Sequence, residues 1–168
     1  MKFTLASASI LFLSLTSALP VEDFADIQEL WDGPNASASI KCGKSTYTGH
    51  DIYLAAQHAV NLSFLSPPEK RGEKPYPHKF DHNRSKKVDL HFPAHCSEHD
   101  DNRQEYPLVK NGPCNGSKNN KKYGKKRAVF YYNGKTEGVD GHPLVYFCGL
   151  LTHEGLKDGG FSQCPNGK

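Results

Sequence analysis

The strongest strand patterns in the sequence are Arg-Ala-Val-Phe-Tyr-Tyr at residues 127–132 and Leu-Val-Tyr-Phe-Cys-Gly-Leu-Leu-Thr at residues 144–152. Both are rich in the β-branched and aromatic side chains that suit a pleated, half-buried surface. Asn133-Gly134 predicts a turn after the first run, although the connection to the second is too long for a two-residue hairpin. Shorter runs bounded by Pro, Gly, Asn or Asp predict earlier strands at residues 76–80, 88–92 and 105–109.

One helix is predicted ahead of these strands, over residues 51–65. Apolar side chains recur there with helical spacing, and Ser66-Pro67-Pro68 stops the pattern. The apolar positions are Ile52, Ala55, Ala56, Ala59 and Val60. One helix followed by consecutive strands predicts an α+β domain, in which the helix packs on a central antiparallel β-sheet.

The N-terminal part of the chain contains two further segments. Residues 1–18 combine a positive start, an apolar run and small residues at a cleavage point, which predicts a signal peptide and therefore secretion. A transmembrane anchor is the alternative, but the run is shorter than the roughly 18 apolar residues that a span needs. Residues 19–40 mix acidic and small residues and predict a flexible leader or pro-segment, followed by one domain at residues 41–168.

Composition and charge narrow the class of protein. The chain has 168 residues, of which 36% are hydrophobic, with 15 Gly and 11 Pro. These values indicate a small, loop-rich globular protein and exclude a coiled coil or a collagen-like chain. Residues 41–168 hold 20 of the 21 basic residues and 13 of the 18 acidic ones. This surplus favours an anionic partner such as nucleic acid or anionic lipid headgroups, although solubility alone is the other explanation.

The cysteines of a secreted chain are expected to form disulfides. Five are present, so two bridges and one unpaired thiol are expected, and spacing alone does not choose among the pairings.

A histidine-rich stretch raises the question of a metal site. Zinc-ligand side chains cluster at His91, His95, Cys96, Glu98 and His99. However, Pro93 argues against a regular helix that would align them, and Cys96 is expected in a disulfide. We therefore predict neither a metal site nor a cofactor.

Residues 118–127 form a strongly basic segment, in which six of ten side chains are Lys or Arg. One explanation is a solvated, flexible loop. The other is a loop that contacts the phosphate backbone of RNA, with Tyr123 stacking on a base.

A set of chemically active residues is spread along the predicted strands. It comprises a carboxylate, two imidazoles, a guanidinium and a phenol, at Tyr76, His78, Glu105, Arg127 and His153. These are the groups needed for general acid–base cleavage of a phosphodiester. Taken singly, each also has an ordinary structural explanation.

The strings around these residues resemble the fungal guanyl-specific ribonucleases of the T-one type and their larger relatives, the ribotoxins. The resemblance covers residues 42–164 and implies the microbial ribonuclease fold, stabilised by disulfides, in a monomer that acts on RNA and not on membranes. The matching strings, in chain order, are Tyr76-Pro77-His78-Lys79-Phe80, Glu105-Tyr106-Pro107-Leu108-Val109, Arg127-Ala128-Val129-Phe130, Gly149-Leu150-Leu151-Thr152-His153 and Phe161-Ser162-Gln163-Cys164.

The resemblance implies a role for each of these residues. Glu105 is expected to take the proton of the ribose 2′-hydroxyl with the support of His78, and His153 to protonate the leaving 5′-oxygen. Arg127 and Tyr76 are expected to stabilise the phosphoryl oxygens. Further substrate contacts are expected from Phe80, Asp81, Phe161, Lys121, Lys122, Lys125 and Lys126.

The resemblance also pairs the cysteines and shows where this chain departs from the family. It implies the bridges Cys42–Cys164 and Cys96–Cys148, which leaves Cys114 over. Arg84 stands where the family's guanine-binding glutamate is expected, so either Asp81 replaces that glutamate or the preference for guanine is weak. The long basic loop is ribotoxin-like, but its sequence does not match that of the ribotoxins closely.

We therefore expect a secreted, metal-independent endoribonuclease that cleaves single-stranded RNA 3′ of guanosine. The product would be a 2′,3′-cyclic phosphate that is hydrolysed in a second step, and a cytotoxic effector role would fit secretion. Two alternatives stay open. One is a ribotoxin that cleaves a single ribosomal RNA loop, and the other is a catalytically inactive effector that binds RNA or a host protein. The complete catalytic set favours an active enzyme.

Overall fold

The computed structural model describes residues 31–71, 74–81, 90–114, 123–132, 143–156 and 160–165. Within these ranges the chain forms eight strands, two α-helices and one 3₁₀ turn. In chain order they are β1 (Trp31–Asp32), β2 (Ser39–Cys42), β3 (Ser45–Thr48), α1 (Gly49–Phe64), β4 (His78–Lys79), α2 (Ala94–Ser97), the 3₁₀ turn Asp100–Asn102, β5 (Gln104–Pro107), β6 (Lys126–Tyr132), β7 (Val145–Thr152) and β8 (Ser162–Gln163).

Helix α1 is the one predicted, and its N-terminus is fixed by a capping box. The Asp51 amide donates to Thr48 Oγ1 at 3.1 Å, and the Thr48 amide donates to Asp51 Oδ2 at 2.9 Å. Asp51 Oδ1 accepts a further bond from the Asn111 amide. Burial opposes ionisation of Asp51, but the hydrogen bonds from Thr48 and Asn111 keep its pKa below the ordinary value. The cap therefore also ties the helix to the loop after β5.

The main sheet has the strand order β1-β7-β6-β5-β4, and β8 pairs with β7 at the other end of that strand from β1. All pairings in it are antiparallel except β1 with β7, so the sheet is mixed. Strands β2 and β3 form a separate hairpin. The strands predicted at 105–109, 127–132 and 144–152 are confirmed within two residues at each end.

Part of the predicted leader belongs to the fold. Strand β1 pairs with Val145 and Tyr146, and the Trp31 ring packs against Tyr53 and Phe147. Strand β2 also begins within this segment, at Ser39. The predicted signal peptide and residues 19–30 lie outside the described residues.

Three other local predictions are corrected. The expected strand at 76–80 is reduced to the two residues of β4, and residues 90–92 are not in a strand, while 88–89 lie outside the described residues. Pro93 does not prevent a helix but precedes one, because it occupies the N-cap position of α2. A proline is tolerated there, since the first amides of a helix need no intrahelical acceptor.

The two faces of the sheet bury different clusters. Alternate residues of β6 and β7, among them Ala128, Phe130 and Leu150, belong to the cluster that packs around α1. The intervening residues Val129 and Leu151 belong to a second cluster on the opposite face. This alternation is the period-two pattern of strands that are buried on both faces.

Two disulfides close the fold, with the pairing that the family resemblance implied. Cys42 is bonded to Cys164, and Cys96 in α2 is bonded to Cys148 in β7. Cys114 is a buried free thiol. The described residues include no helix that is both long and apolar enough to cross a membrane.

Candidate active site

Strand register places His78, Glu105 and Arg127 on one face of the sheet. His78 lies directly opposite Glu105 across β4 and β5, and Glu105 lies opposite Val129 of β6. Directly opposed residues have their side chains on the same face, and so do residues two apart on one strand. Arg127 lies two residues before Val129 and therefore shares that face.

The same register extends to His153 and Phe161. Leu151 lies opposite both Arg127 and Gln163. His153 follows Leu151 by two residues, and Phe161 precedes Gln163 by two. The His153 amide donates to the Lys125 carbonyl at 2.8 Å, which holds it beside the start of β6. His78, Glu105, Arg127 and His153 therefore meet on the face opposite α1, although 75 positions separate His78 from His153 in the sequence.

Glu105 and His78 form a close pair. His78 Nε2 lies 3.3 Å from Glu105 Oε1, and the Glu105 side chain is 7% exposed. His78 Nδ1 lies 2.9 Å from the Lys79 carbonyl oxygen. Both neighbours accept hydrogen bonds, so a ring protonated on both nitrogens satisfies both contacts. This arrangement places a hydrogen-bond donor beside the Glu105 carboxylate.

Arg127 and Tyr76 form the second part of the site. Arg127 Nε donates to the Tyr76 hydroxyl at 2.9 Å, and Nη1 donates to the carbonyls of Lys126 at 2.7 Å and Gly124 at 3.1 Å. Gly124 has a φ of +63°, in the left-handed region that favours glycine. These bonds fix the plane of a buried guanidinium, which is the geometry that suits recognition of a phosphate.

The Tyr76 ring connects the two parts. It stacks on His78 with ring centroids 4.5 Å apart. The Arg127 Cζ atom lies over the Tyr76 ring, 5.1 Å from its centroid. Burial raises the pKa of Tyr76, and Arg127 only partly opposes that effect. Tyr76 therefore stays a neutral phenol that can donate its proton in a hydrogen bond.

His153 is fixed in one orientation. Its Nδ1 lies 2.7 Å from the Gly160 carbonyl oxygen, so Nδ1 carries a proton and Nε2 is the nitrogen that would exchange one with a substrate. The ring also packs on Phe161, at 3.9 Å between centroids. Phe161 is itself buried against Phe80, so the His153 ring packs on the aromatic core.

The residues expected to contact the substrate have different environments. Phe80 is only 1% exposed and packs against Phe92 and Phe161, so in this structure it is a core residue rather than a contact for a base. Asp81 is exposed, and it precedes residues 82–89, which include Arg84 and lie outside the described residues.

The basic loop is described only in its last part. Lys121 and Lys122 lie outside the described residues, and Lys125 is exposed. Lys126 is instead buried in β6, where its ammonium group contacts Glu154 and Ser45. It thus has a structural partner, and we do not retain it as an RNA contact.

Tyr123 also differs from expectation. It is 7% exposed, and its ring meets the edge of Tyr76 at 5.6 Å between centroids. In this position it supports Tyr76 and offers no open face to a base. Neither this contact nor the Lys126–Glu154 pair has a local sequence pattern, because the partners are far apart in the chain.

The histidine-rich stretch is accounted for by other contacts. Cys96 is in a disulfide, His95 packs beside Tyr146, and the His99 ring stacks on Tyr131 at 4.2 Å. Within the ranges that the structure describes, no group of three His, Cys, Asp or Glu residues is arranged to hold a metal ion.

A carboxylate–imidazole pair, a second oriented histidine and a buried arginine on one sheet face define an acid–base site suited to phosphodiesters. Comparison with known proteins identifies the class more closely. A family model described as ribonuclease matches residues 35–165, which is most of the chain. The protein therefore belongs to this ribonuclease family, that of the guanyl-specific microbial ribonucleases and ribotoxins. No curated protein sequence matches the chain.

Proposed function

We propose that this ribonuclease is an active endoribonuclease that cleaves single-stranded RNA by transesterification, with a preference for the bond 3′ of guanosine. The observation that carries the proposal is the His78–Glu105 pair, 3.3 Å apart, on the same sheet face as Arg127 and His153. Membership of the ribonuclease family supports RNA as the substrate.

In the first step Glu105 acts as the general base. It takes the proton of the ribose 2′-hydroxyl, and the 2′-oxygen attacks phosphorus in line with the leaving 5′-oxygen. The neighbouring His78 stabilises the carboxylate before the transfer and orients it toward the ribose. DNA is not cleaved by this route because it lacks the attacking 2′-hydroxyl.

The phosphoryl group gains negative charge as the new bond forms. Arg127 is held by three hydrogen bonds and therefore needs little rearrangement to face that charge. Tyr76 donates its phenolic proton to a phosphoryl oxygen, while its own oxygen accepts from Arg127 Nε.

His153 acts as the general acid. Protonated at Nε2, it donates that proton to the 5′-oxygen as the P–O bond breaks, which releases a 5′-hydroxyl and leaves a 2′,3′-cyclic phosphate. In the second step the roles reverse: His153 accepts a proton from water, and Glu105 returns one to the 2′-oxygen. Base, acid and charge stabilisation all come from side chains, so the proposed reaction requires no metal ion.

Base recognition needs a different residue from that of the family, because Arg84 stands where the guanine-binding glutamate is expected. We assign guanine recognition to Asp81, an exposed carboxylate three residues from His78 that can accept hydrogen bonds from a guanine edge. The four dinucleoside phosphates with different 3′-linked bases test this directly. The wild type should cleave the guanosine substrate fastest, and an Asp81→Asn variant should lose that preference. Equal wild-type rates on all four substrates, or an unchanged preference in the variant, would contradict the assignment.

We further propose that the protein is secreted as a monomer through the signal peptide at residues 1–18. The two disulfides are typical of an oxidising compartment. The basic loop, including Lys121, Lys122 and Lys125, would then bind the RNA backbone outside the catalytic groups.

The decisive experiment incubates the chain from Leu19 with total RNA and with intact ribosomes in EDTA, beside His153→Ala. General degradation by the wild type alone would support the proposed enzyme. A single discrete ribosomal fragment would identify a ribotoxin instead. Binding of RNA by the folded protein without cleavage would reject the enzyme in favour of an inactive effector.

A further inference from the structure

An ion pair outside the proposed catalytic groups joins the segment that carries His153, the proposed proton donor, to the segment that carries Arg127. Lys126 immediately precedes Arg127, and Glu154 immediately follows His153. The Lys126 ammonium group contacts Glu154 Oε1, and their side chains are 10% and 25% exposed. The two residues lie 28 positions apart in the sequence.

Glu154 also binds a third element, the turn between β2 and β3. Its Oε2 accepts a hydrogen bond from the Lys44 amide at 2.9 Å, and Lys126 Nζ donates to the Oγ of Ser45, the first residue of β3, at 3.3 Å. A side chain at Gly43 would overlap this carboxylate, since a Cβ atom there would lie 1.9 Å from Glu154 Oε2. The Glu154 carboxylate therefore fills the space beside Gly43.

The position of this pair in the sheet gives it a mechanical consequence. Lys126, the first residue of β6, pairs with Thr152, the last residue of β7. His153 therefore lies just beyond the end of the β6–β7 ladder. There its amide is held by the Lys125 carbonyl, and the Glu154 amide by Thr152 Oγ1 at 3.0 Å. The ion pair adds a side-chain connection between the strands at the point where backbone pairing stops.

Lys126 and Glu154 also compensate each other's charge. A largely buried ammonium group is costly unless a partner compensates its charge. Hydrogen bonds from Lys126 and then from the Lys44 amide keep the pKa of Glu154 below its ordinary value. The carboxylate is therefore ionised at neutral pH. Removal of Glu154 would drive Lys126 toward water and release the turn that follows His153.

We propose that Glu154 and Lys126 are positioning residues for catalysis, which hold the proton donor His153 in register with Arg127. The inference rests on the proposed function, because it requires His153 to act as the general acid. A displacement of about 1 Å at a reacting group can lower a rate by about a hundredfold. We therefore expect Glu154→Gln to lower kcat by about ten- to a hundredfold with little change in KM.

Two substrates with the same base distinguish loss of the acid from general damage. The first is a dinucleoside phosphate, whose nucleoside leaving group needs a proton. The second is the nucleoside 3′-(4-nitrophenyl phosphate), whose nitrophenolate leaves without one. His153→Ala should be severely slowed on the first substrate and only mildly on the second. Glu154→Gln should show the same asymmetry, with less than a threefold loss on the aryl ester.

Lys126→Met and the double variant complete the test. Lys126→Met keeps the aliphatic stem and should reproduce the loss, while the double variant should lose no more than either single one, because the pair acts as a unit. Asp101→Asn is the matched control. It removes an exposed carboxylate from Lys79, which adjoins His78 just as Lys126 adjoins Arg127, and it should match the wild type on both substrates.

The outcomes separate this inference from the function on which it rests. Absence of cleavage by the wild type, or no asymmetry for His153→Ala, would overturn both. With those two enzymes behaving as expected, wild-type rates for Glu154→Gln would overturn only the positioning role. Three other outcomes would also overturn the positioning role. They are equal losses on both substrates, tighter RNA binding as Lys126 is released, and failure of both single variants to fold.

Discussion

Removal of the Cys42–Cys164 disulfide should destabilise the fold and also weaken the active site. The bridge joins residues 122 positions apart. In the chain-entropy model, closure of a loop of that length stabilises the folded state by about 5 kcal/mol, compared with about 4 kcal/mol for the 52-residue separation of Cys96 and Cys148. A small domain has only about 5–15 kcal/mol in total, so the loss would be a large fraction of its stability.

The effect on the site follows from what the bridge holds in place. Cys164 directly follows β8, and its amide donates to the Leu150 carbonyl at 2.8 Å. The segment just before β8 supplies the Gly160 carbonyl and the Phe161 ring that hold His153. Loosening this end of the chain should therefore lower activity severalfold even at a temperature where the variant remains folded.

The experiment compares Cys42→Ala/Cys164→Ala with its parent, both carrying Cys114→Ala so that no free thiol can form a new bridge. Urea unfolding under non-reducing conditions should show a free energy of unfolding lower by about 4–5 kcal/mol. A difference below about 1 kcal/mol would refute the reasoning. So would full activity in a variant that has lost the expected stability, since the bridge would then have no influence on His153.

Three further predictions concern the general base, the basic loop and a buried histidine. Glu105→Gln should lower kcat/KM on a dinucleoside phosphate by about a hundredfold or more, measured by release of the leaving nucleoside, and an unchanged rate would rule out its role as the base. Alanine at Lys121, Lys122 and Lys125 should weaken RNA binding and flatten its salt dependence in a titration, while cleavage of a dinucleotide stays the same; an equal loss on both would indicate a structural loop. Burial, reinforced by Arg71, lowers the pKa of His58 from its ordinary 6.5, so the unfolded chain binds this proton more readily. Its contribution to stability should be complete above pH 6.5 and decline as the pH falls below it, and His58→Gln should make acid unfolding less steep in this range.

The sequence was informative where structure is determined locally. The apolar spacing of α1 and the β-branched and aromatic residues of β6 and β7 are short-range patterns, and each predicted its element. The cap at Thr48 is also local, but it was not predicted, and the helix begins two residues earlier than expected. The proposed catalytic residues were selected from their neighbouring residues, whereas the register that brings them together could not be read from the sequence.

The misses involve contacts between distant residues. A two-residue strand such as β1 has no periodicity, and it is fixed by the packing of Trp31 on Tyr53 and Phe147. Lys126 is indistinguishable from its exposed neighbours in a basic run, because burial depends on Glu154 across the sheet. Phe80 is apolar whether it lies in a core or in a binding site, so its sequence context could not decide between them.

The two short strands at opposite ends of the chain have a consequence for colloidal behaviour. Strand β7 is eight residues long, and its outer edge is covered by β1 at Val145 and Tyr146 and by β8 at Leu151 and Thr152. An uncovered edge of that length offers unpaired amides and carbonyls to the sheets of other molecules. Proteolytic trimming that stopped before Trp31 would keep both ends of this edge covered, whereas trimming past Asp32 would uncover Val145 and Tyr146. Such a shortened protein should self-associate through its sheets at concentrations where the intact fold stays dispersed.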